Sequence, residues 1–330
     1  MVRQNWIDWM KAIGMLLIVW GHCFPEKISP ILYAFDVPVF LAVSGYLSKI
    51  KPTDKVFWQK LTTSLIIPYL IFAEIKVIGP IFQHISDGQW IWPQIGVLLG
   101  FNSIHDLPGC GNLWFLYSLI LIKIIHQYFL RSEKSLWIAF LVSIICLYAY
   151  NRLCEHVPWA VTSVFACMPY YIIGCNARTW KGNSVMLLVS KIKHDNAFKN
   201  SLRIIIPIAF ISIIAYVNGP AYLYRGEYGN FLILALIAAM FGCYWVIVVS
   251  ALLDRFTLHG MVYYLSIGSV VILAFHRDIL HPFLKMIDKL QLDWVANAEC
   301  TFLLALATTI VFIPIIYIIK RYVPFLIGNR

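Results

Sequence analysis

Residues Trp6–Phe24 read WIDWMKAIGMLLIVWGHCF, an apolar helical stretch with Asp8 and Lys11 near one end and His22 near the other. At about 100° per residue, the step from Lys11 to His22 returns to within about 20° of the same face, about 16 Å further along the axis. Ionisable side chains are expensive in hydrocarbon, so each is expected to face a protein interior or a wet cavity. Residues of this kind are functional candidates by default.

The rest of the chain makes lipid the solvent. Its 330 residues are 61% hydrophobic and 13% charged, with a mean hydropathy of +0.77. That is more apolar surface than a soluble domain can bury. The 12 Trp, 18 Tyr and 21 Phe suit interfacial belts as well as core packing. Spans of about 20 residues predict an all-α, polytopic transmembrane bundle of about ten helices, roughly 6–24, 31–49, 57–82, 112–130, 136–150, 159–177, 203–218, 229–253, 261–281 and 298–319. Residues 1–330 read as a single membrane domain without internal repeats, coiled-coil heptads or a soluble appendage. Asp8 and Lys11 interrupt any signal-peptide core, so the first helix is expected to remain in the mature protein.

Charge placement sets the orientation. With the N-terminus cytoplasmic, eighteen basic residues fall on the cytoplasmic side, against Lys27, Arg152, Arg225, Arg277, Lys285 and Lys289 outside. The bias places both termini inside a multi-pass protein of the inner (plasma) membrane. It also accounts for most of the net charge of +10, so no nucleic-acid partner is expected. The longest cytoplasmic connection, about 178–202, is basic. The longest outer connection, 83–111, carries Gly, Pro, Trp and His and could form a lid.

This topology sorts the polar residues by depth. His22, Asp36, Glu74, Lys76, Asn112, Trp114, His276, Arg277 and Asp278 share the outer level, and Lys11 lies near the cytoplasm. A cation at one face can hold a phosphate while an imidazole at the other moves a proton, provided a long thin substrate lies between them. Acyl-coenzyme A has that shape. Plainer readings stand beside this one: His22 as a helix cap, Asp8 and Lys11 as an i,i+3 ion pair, Ser44-Gly45-Tyr46 as a packing notch and Trp114 as an interfacial anchor.

Several motifs resemble one family in their order along the chain. IDWMKAIGMLLIVWGH is similar to the aspartate, arginine and histidine of the first helix in the acyltransferase family 3 membrane proteins, which acylate surface polysaccharides. FDVPVFLAVSGYL (35–47) resembles that family's turn, proline, aromatic run and Ser-Gly-Tyr. Weaker matches are SLIIPYL (64–70), NLWFLYSL (112–119), PYYIIG (169–174) and LAFHRDIL (273–280). The sequence departs from the family where Lys11 replaces arginine, where Asp36 stands before Val-Pro in place of a frequent histidine, and where Ser64 leaves Lys60 as the nearest cation.

The resemblance implies a membrane O-acyltransferase that takes an acyl group from cytoplasmic acyl-CoA, with acetyl-CoA the expected donor, to a hydroxyl of a cell-surface or lipid-linked glycan. His22 would be general base or acyl carrier, with Asp36 and His276 as its partners. Lys11, with Asp8, Lys60, Ser44 and Tyr46, would hold the donor, and Asn112, Trp114, Glu74 and Arg277 would face the acceptor. A succinyl or other acyl transferase keeps the same chemistry. A polysaccharide flippase would also bury charge, but the paired broken helices of inverted repeats are missing from the pattern. The eight cysteines show no metal-ligand spacing, so no metal is expected. A Cys110–Cys154 disulfide is allowed by topology. Membrane lipids and the glycan acceptor are the expected partners.

Overall fold

The computed structural model describes residues 3–25, 27–153, 161–179, 183–290 and 297–328. All ten predicted segments are helical, and the β-structure among the described residues is a two-residue antiparallel pair, β1 (Ser103–Ile104) with β2 (Leu107–Pro108). The first span is α1 (Asn5–Gly21), and the second is split into α2 (Ser29–Tyr33) and α3 (Asp36–Leu47). The restart at Asp36 follows from Pro38, whose missing N–H is harmless only in a first turn, and from the acidic side chain at the helix N-terminus. The third span begins as α4 (Asp54–Leu61), passes through a π-helical turn at Thr62–Ile66 and continues as α5 (Ile67–Gln83).

Beyond these lie α6 (Ile91–Leu99), α7 (Trp114–Phe129), α8 (Glu133–Leu153), α9 (Val161–Thr179), α10 (Ser184–His194), α11 (Ala197–Asn218), α12 (Leu232–Leu253), α13 (His259–Ile267), α14 (Ser269–Lys289) and α15 (Ala298–Tyr322). Three features differ from the sequence expectation. The outer connection contains α6 and the β pair. The basic connection contains α10. The predicted span 261–281 is a bent pair, with α13 and α14 meeting at 83°.

By length and composition, five helical stretches among the described residues are able to cross a membrane, or six if the bent pair is one span. The shortfall from ten is partly a matter of length: α1 has 17 residues and α7 has 16, short of the usual span of about 20.

The chain forms two compact units whose segments alternate in sequence. The first comprises Met1–Ser48, Tyr170–Tyr222 and Glu227–Ile318; the second comprises Lys49–Pro169, Leu223–Gly226 and Ile319–Arg330. In the first unit, α1 contributes Trp6, Ile7, Met10 and Leu17 to a buried cluster with Phe35, Val39 and Val43 on the second span and Val246, Val248 and Ala251 on α12. Small residues let these helices touch. A Cβ on Gly45 of α3 would sit 2.0 Å from the Tyr171 carbonyl oxygen of α9, and one on Gly174 of α9 would sit 2.0 Å from that of Ala42. The Ser-Gly-Tyr stretch is therefore a backbone crossing point. In the second unit, the Tyr69 hydroxyl of α5 donates to Val97 O of α6 at 2.5 Å, and the Gln127 amide of α7 bonds both the N–H and the carbonyl of Lys51.

Candidate active site

The outer-level residues of the first unit converge where α1 ends. His22 follows the last turn of α1, and its Nδ1 lies 2.8 Å from Ile18 O. A carbonyl only accepts, so Nδ1 carries the proton and Nε2 of the neutral ring is left as the basic nitrogen. His276 repeats the arrangement on α14, with Nδ1 2.8 Å from Ile272 O. The two rings meet edge to face with centroids 4.7 Å apart and an interplanar angle of 76°. His276 is fully buried, and its Nε2 has no hydrogen-bond partner among the described residues. Arg277 is the next residue along α14.

Gly21 brings the second span against this end of α1. A Cβ there would lie 3.0 Å from the Tyr33 ring and 3.5 Å from Asp36 Oδ2, and the Tyr33 hydroxyl donates to Gly21 O at 2.9 Å. Asp36 is buried, and its Oδ1 accepts from the Val37 N–H at 2.6 Å. The carboxylate thus lies beside the residue preceding His22, while Ile18, rather than Asp36, holds the ring's Nδ1. Two residues before His22, the Trp20 indole donates to Thr301 Oγ1 of α15 at 3.1 Å, which steadies the helix end.

At the other end of α1, Asp8 accepts from Arg3 at 2.6 and 3.0 Å and from the Ser266 hydroxyl of α13 at 2.6 Å. Both carboxylate oxygens are thereby engaged, one of them by a hydroxyl 258 positions away in the chain. Lys11 lies half-buried at the next turn. Tyr46 packs edge-on against Trp6 and donates to Asn183 Oδ1 at 2.9 Å, and Ser44 is half-buried beside the Gly45 crossing.

Four further site residues belong to the second unit. Lys60 is exposed at the end of α4, where its carbonyl accepts from Ser64 Oγ at 2.6 Å at the π-helical turn. Glu74 of α5 accepts from Gln94 of α6 at 2.8 Å, which accounts for a carboxylate on an apolar span. Asn112 lies in the short turn Gly111–Leu113, and Trp114 opens α7 with its ring 6.1 Å from that of Tyr224. Among the described residues no three His, Cys, Asp or Glu side chains gather as a metal site. Cys110 is buried, and Cys154 lies outside the described residues.

Sequence reading singled out both histidines and Asp8 but passed over Arg3, Tyr33 and Ser266. Arg3 stands five residues before Asp8 and could have been weighed as its partner. Ser266 carries no such signal, because its importance comes only from folding 258 positions of chain back onto α1.

A bundle of apolar helices that brings a buried and a half-buried imidazole together, each with a basic Nε2, is equipped for proton or group transfer inside a membrane. The class is that of membrane-embedded transferases. A family model described as an acyltransferase domain matches residues 4–321, so the chain belongs to acyltransferase family 3 and is a membrane acyltransferase. No curated protein and no solved structure gives a match to it.

Proposed function

We propose that this acyltransferase moves an acetyl group from cytoplasmic acetyl-CoA to a hydroxyl of a cell-surface or lipid-linked glycan, with His22 as the central catalytic residue. The observation that carries this reading is the His22–His276 pair, each ring fixed through Nδ1 with Nε2 as its basic nitrogen. His22 Nε2 takes the acceptor's hydroxyl proton as the oxygen attacks the thioester carbonyl. The C–O bond forms, the C–S bond breaks, and the proton returns to the departing coenzyme A thiolate. His276 lies beside that imidazole when it becomes cationic. A second route is favoured by the presence of two imidazoles: His22 Nε2 attacks the thioester and the C–S bond breaks to release the coenzyme A thiolate, after which His276 takes the proton of the acceptor hydroxyl as its oxygen displaces the acyl group from His22.

Lys11 supplies the phosphate contact. Because α1 is continuous from Asn5 to Gly21, the spacing of about 16 Å from Lys11 to His22 suits a pantetheine arm. Within the same unit, Ser44 and Tyr46 are further donor contacts and Arg277 is an acceptor contact. Asp36 sits against the end of α1 and supports the turn that carries His22. The setting is the inner membrane with both termini cytoplasmic, which the basic connections support.

Mass spectrometry of surface glycans tests this reading, using cells with the wild-type gene, without it, and with His22→Ala. Acetyl esters present only with the wild type are expected. A succinyl ester would change the donor, and wild-type acylation by His22→Ala would remove His22 from the mechanism. Glycans lost from the surface but acylated inside would indicate a flippase.

A further inference from the structure

The helices that carry the two histidines are pinned a second time, far from the imidazoles. Asp8 lies in the first turn of α1 and His22 caps its other end, whereas Ser266 and His276 lie on either side of the 83° bend between α13 and α14. At the bend, Gly268 packs so closely on α15 that a Cβ would lie 2.2 Å from Ile316 Cδ1. Ser266, 1% exposed, donates to Asp8 Oδ1 at 2.6 Å, and Arg3 makes a two-pronged contact to both carboxylate oxygens. The Arg3 guanidinium also lies 4.1 Å over the Tyr263 ring, on the same short helix as Ser266. Arg3 therefore grips α13 through a ring face while it fixes the carboxylate that grips α13 through a hydroxyl.

We propose that Asp8 is a positioning residue: through Ser266 it sets the register between α1 and the bent α13–α14 pair, and so the approach of His276 to His22. The inference rests on the reading of His22 as the catalytic imidazole. An α-helix transmits axial displacement with little loss, so a slip at Asp8 is felt at His22, and a misplacement of about 1 Å is enough to cost up to about a hundredfold in rate. This role differs from donor binding, which the sequence suggested for Asp8, because the carboxylate faces a serine and an arginine of its own chain.

The test uses the full-length protein in nanodiscs, following thiol release from acetyl-CoA with an envelope extract of the producing cells as acceptor. Asp8→Ala and Ser266→Ala are each expected to lower kcat by about tenfold or more, with KM for acetyl-CoA changed by less than about twofold. The double variant should be no slower than Asp8→Ala alone, since both changes remove one contact. Asp8→Asn keeps an oxygen for the Ser266 hydroxyl and should recover part of the rate. Ser266→Ala deletes a single hydroxyl, so its melting temperature should match the wild type. A raised KM with unchanged kcat would make Asp8 a donor contact, and fully additive losses or undiminished rates would also overturn the proposal. His22→Ala is run alongside: activity in that variant would defeat the functional reading itself, whatever Asp8 does.

Discussion

Replacing His276 with Leu should separate stability from activity. Its Nε2 is a buried acceptor without a partner among the described residues, a situation that costs about 1–3 kcal/mol in the folded state. The Nδ1–H bond to Ile272 O returns about 0.5–1.5 kcal/mol. Much of that is redundant, because a carbonyl inside α14 also accepts from the helix backbone. Leu fills a similar volume and brings no unsatisfied atom, so the variant should range from unchanged to about 2 kcal/mol more stable. At about 2–4 °C per kcal/mol, the gain in melting temperature is at most about 8 °C. Thiol release from acetyl-CoA should meanwhile fall by on the order of a hundredfold, as expected when a group engaged in proton transfer is lost. Melting in detergent and initial rates on the same preparation provide the two readings. A variant both less stable and proportionately less active would show that His276 is a packing residue, and full activity would remove it from the site.

Three further outcomes follow from individual contacts. Lys11→Gln should weaken acetyl-CoA binding, measured by calorimetry, by about 1.5–3 kcal/mol while Lys11→Arg keeps most of it; equal affinities would take the phosphate away from Lys11. Gly45→Ala forces a methyl against the Tyr171 carbonyl, 2.0 Å from the ideal Cβ position, so the helices must part and thermal stability should drop by about 1–3 kcal/mol; an unshifted melting curve would contradict the crossing. The Arg203 hydrogen bond at 2.5 Å holds the Asp195 carboxyl below its ordinary value of 3.8. A depressed carboxylate stabilises the fold above that value and ceases to do so as pH falls through the lowered one. Amide protection between α10 and α11, taken relative to intrinsic exchange, should therefore fall on strong acidification, and Asp195→Asn should remove that dependence on pH.

Much of this molecule is legible in the chain because lipid imposes one rule on every span: backbone groups must bond internally, so long apolar runs become helices. Each of the ten runs did. What escaped the pattern depends on contacts between distant segments. The run through Gly268 stays apolar on both sides, and the 83° bend becomes evident only when Ile316 is found where a side chain at Gly268 would be. Asp8 was recognisable as a charge that needs a partner, yet local spacing gave no hint of Ser266, which reaches it from a distant helix.

The same contrast explains why His22 was easier to read than its surroundings. An imidazole at the end of an apolar helix is conspicuous by its cost, whereas the groups that orient it are ordinary: a backbone carbonyl at Ile18, a tyrosine hydroxyl on Gly21 O, a tryptophan bonded to Thr301. None is unusual by type, and each acts on α1 rather than on substrate. The helix is held at both ends, by Asp8 against α13 and by Gly21 against the second span, and in the proposed mechanism this keeps the two imidazoles at one separation. A catalytic pair built on rigid helices tolerates substitution poorly at its supports. On the proposed reading, substitutions at Asp8 and Ser266 should therefore cost activity, though less than loss of either imidazole.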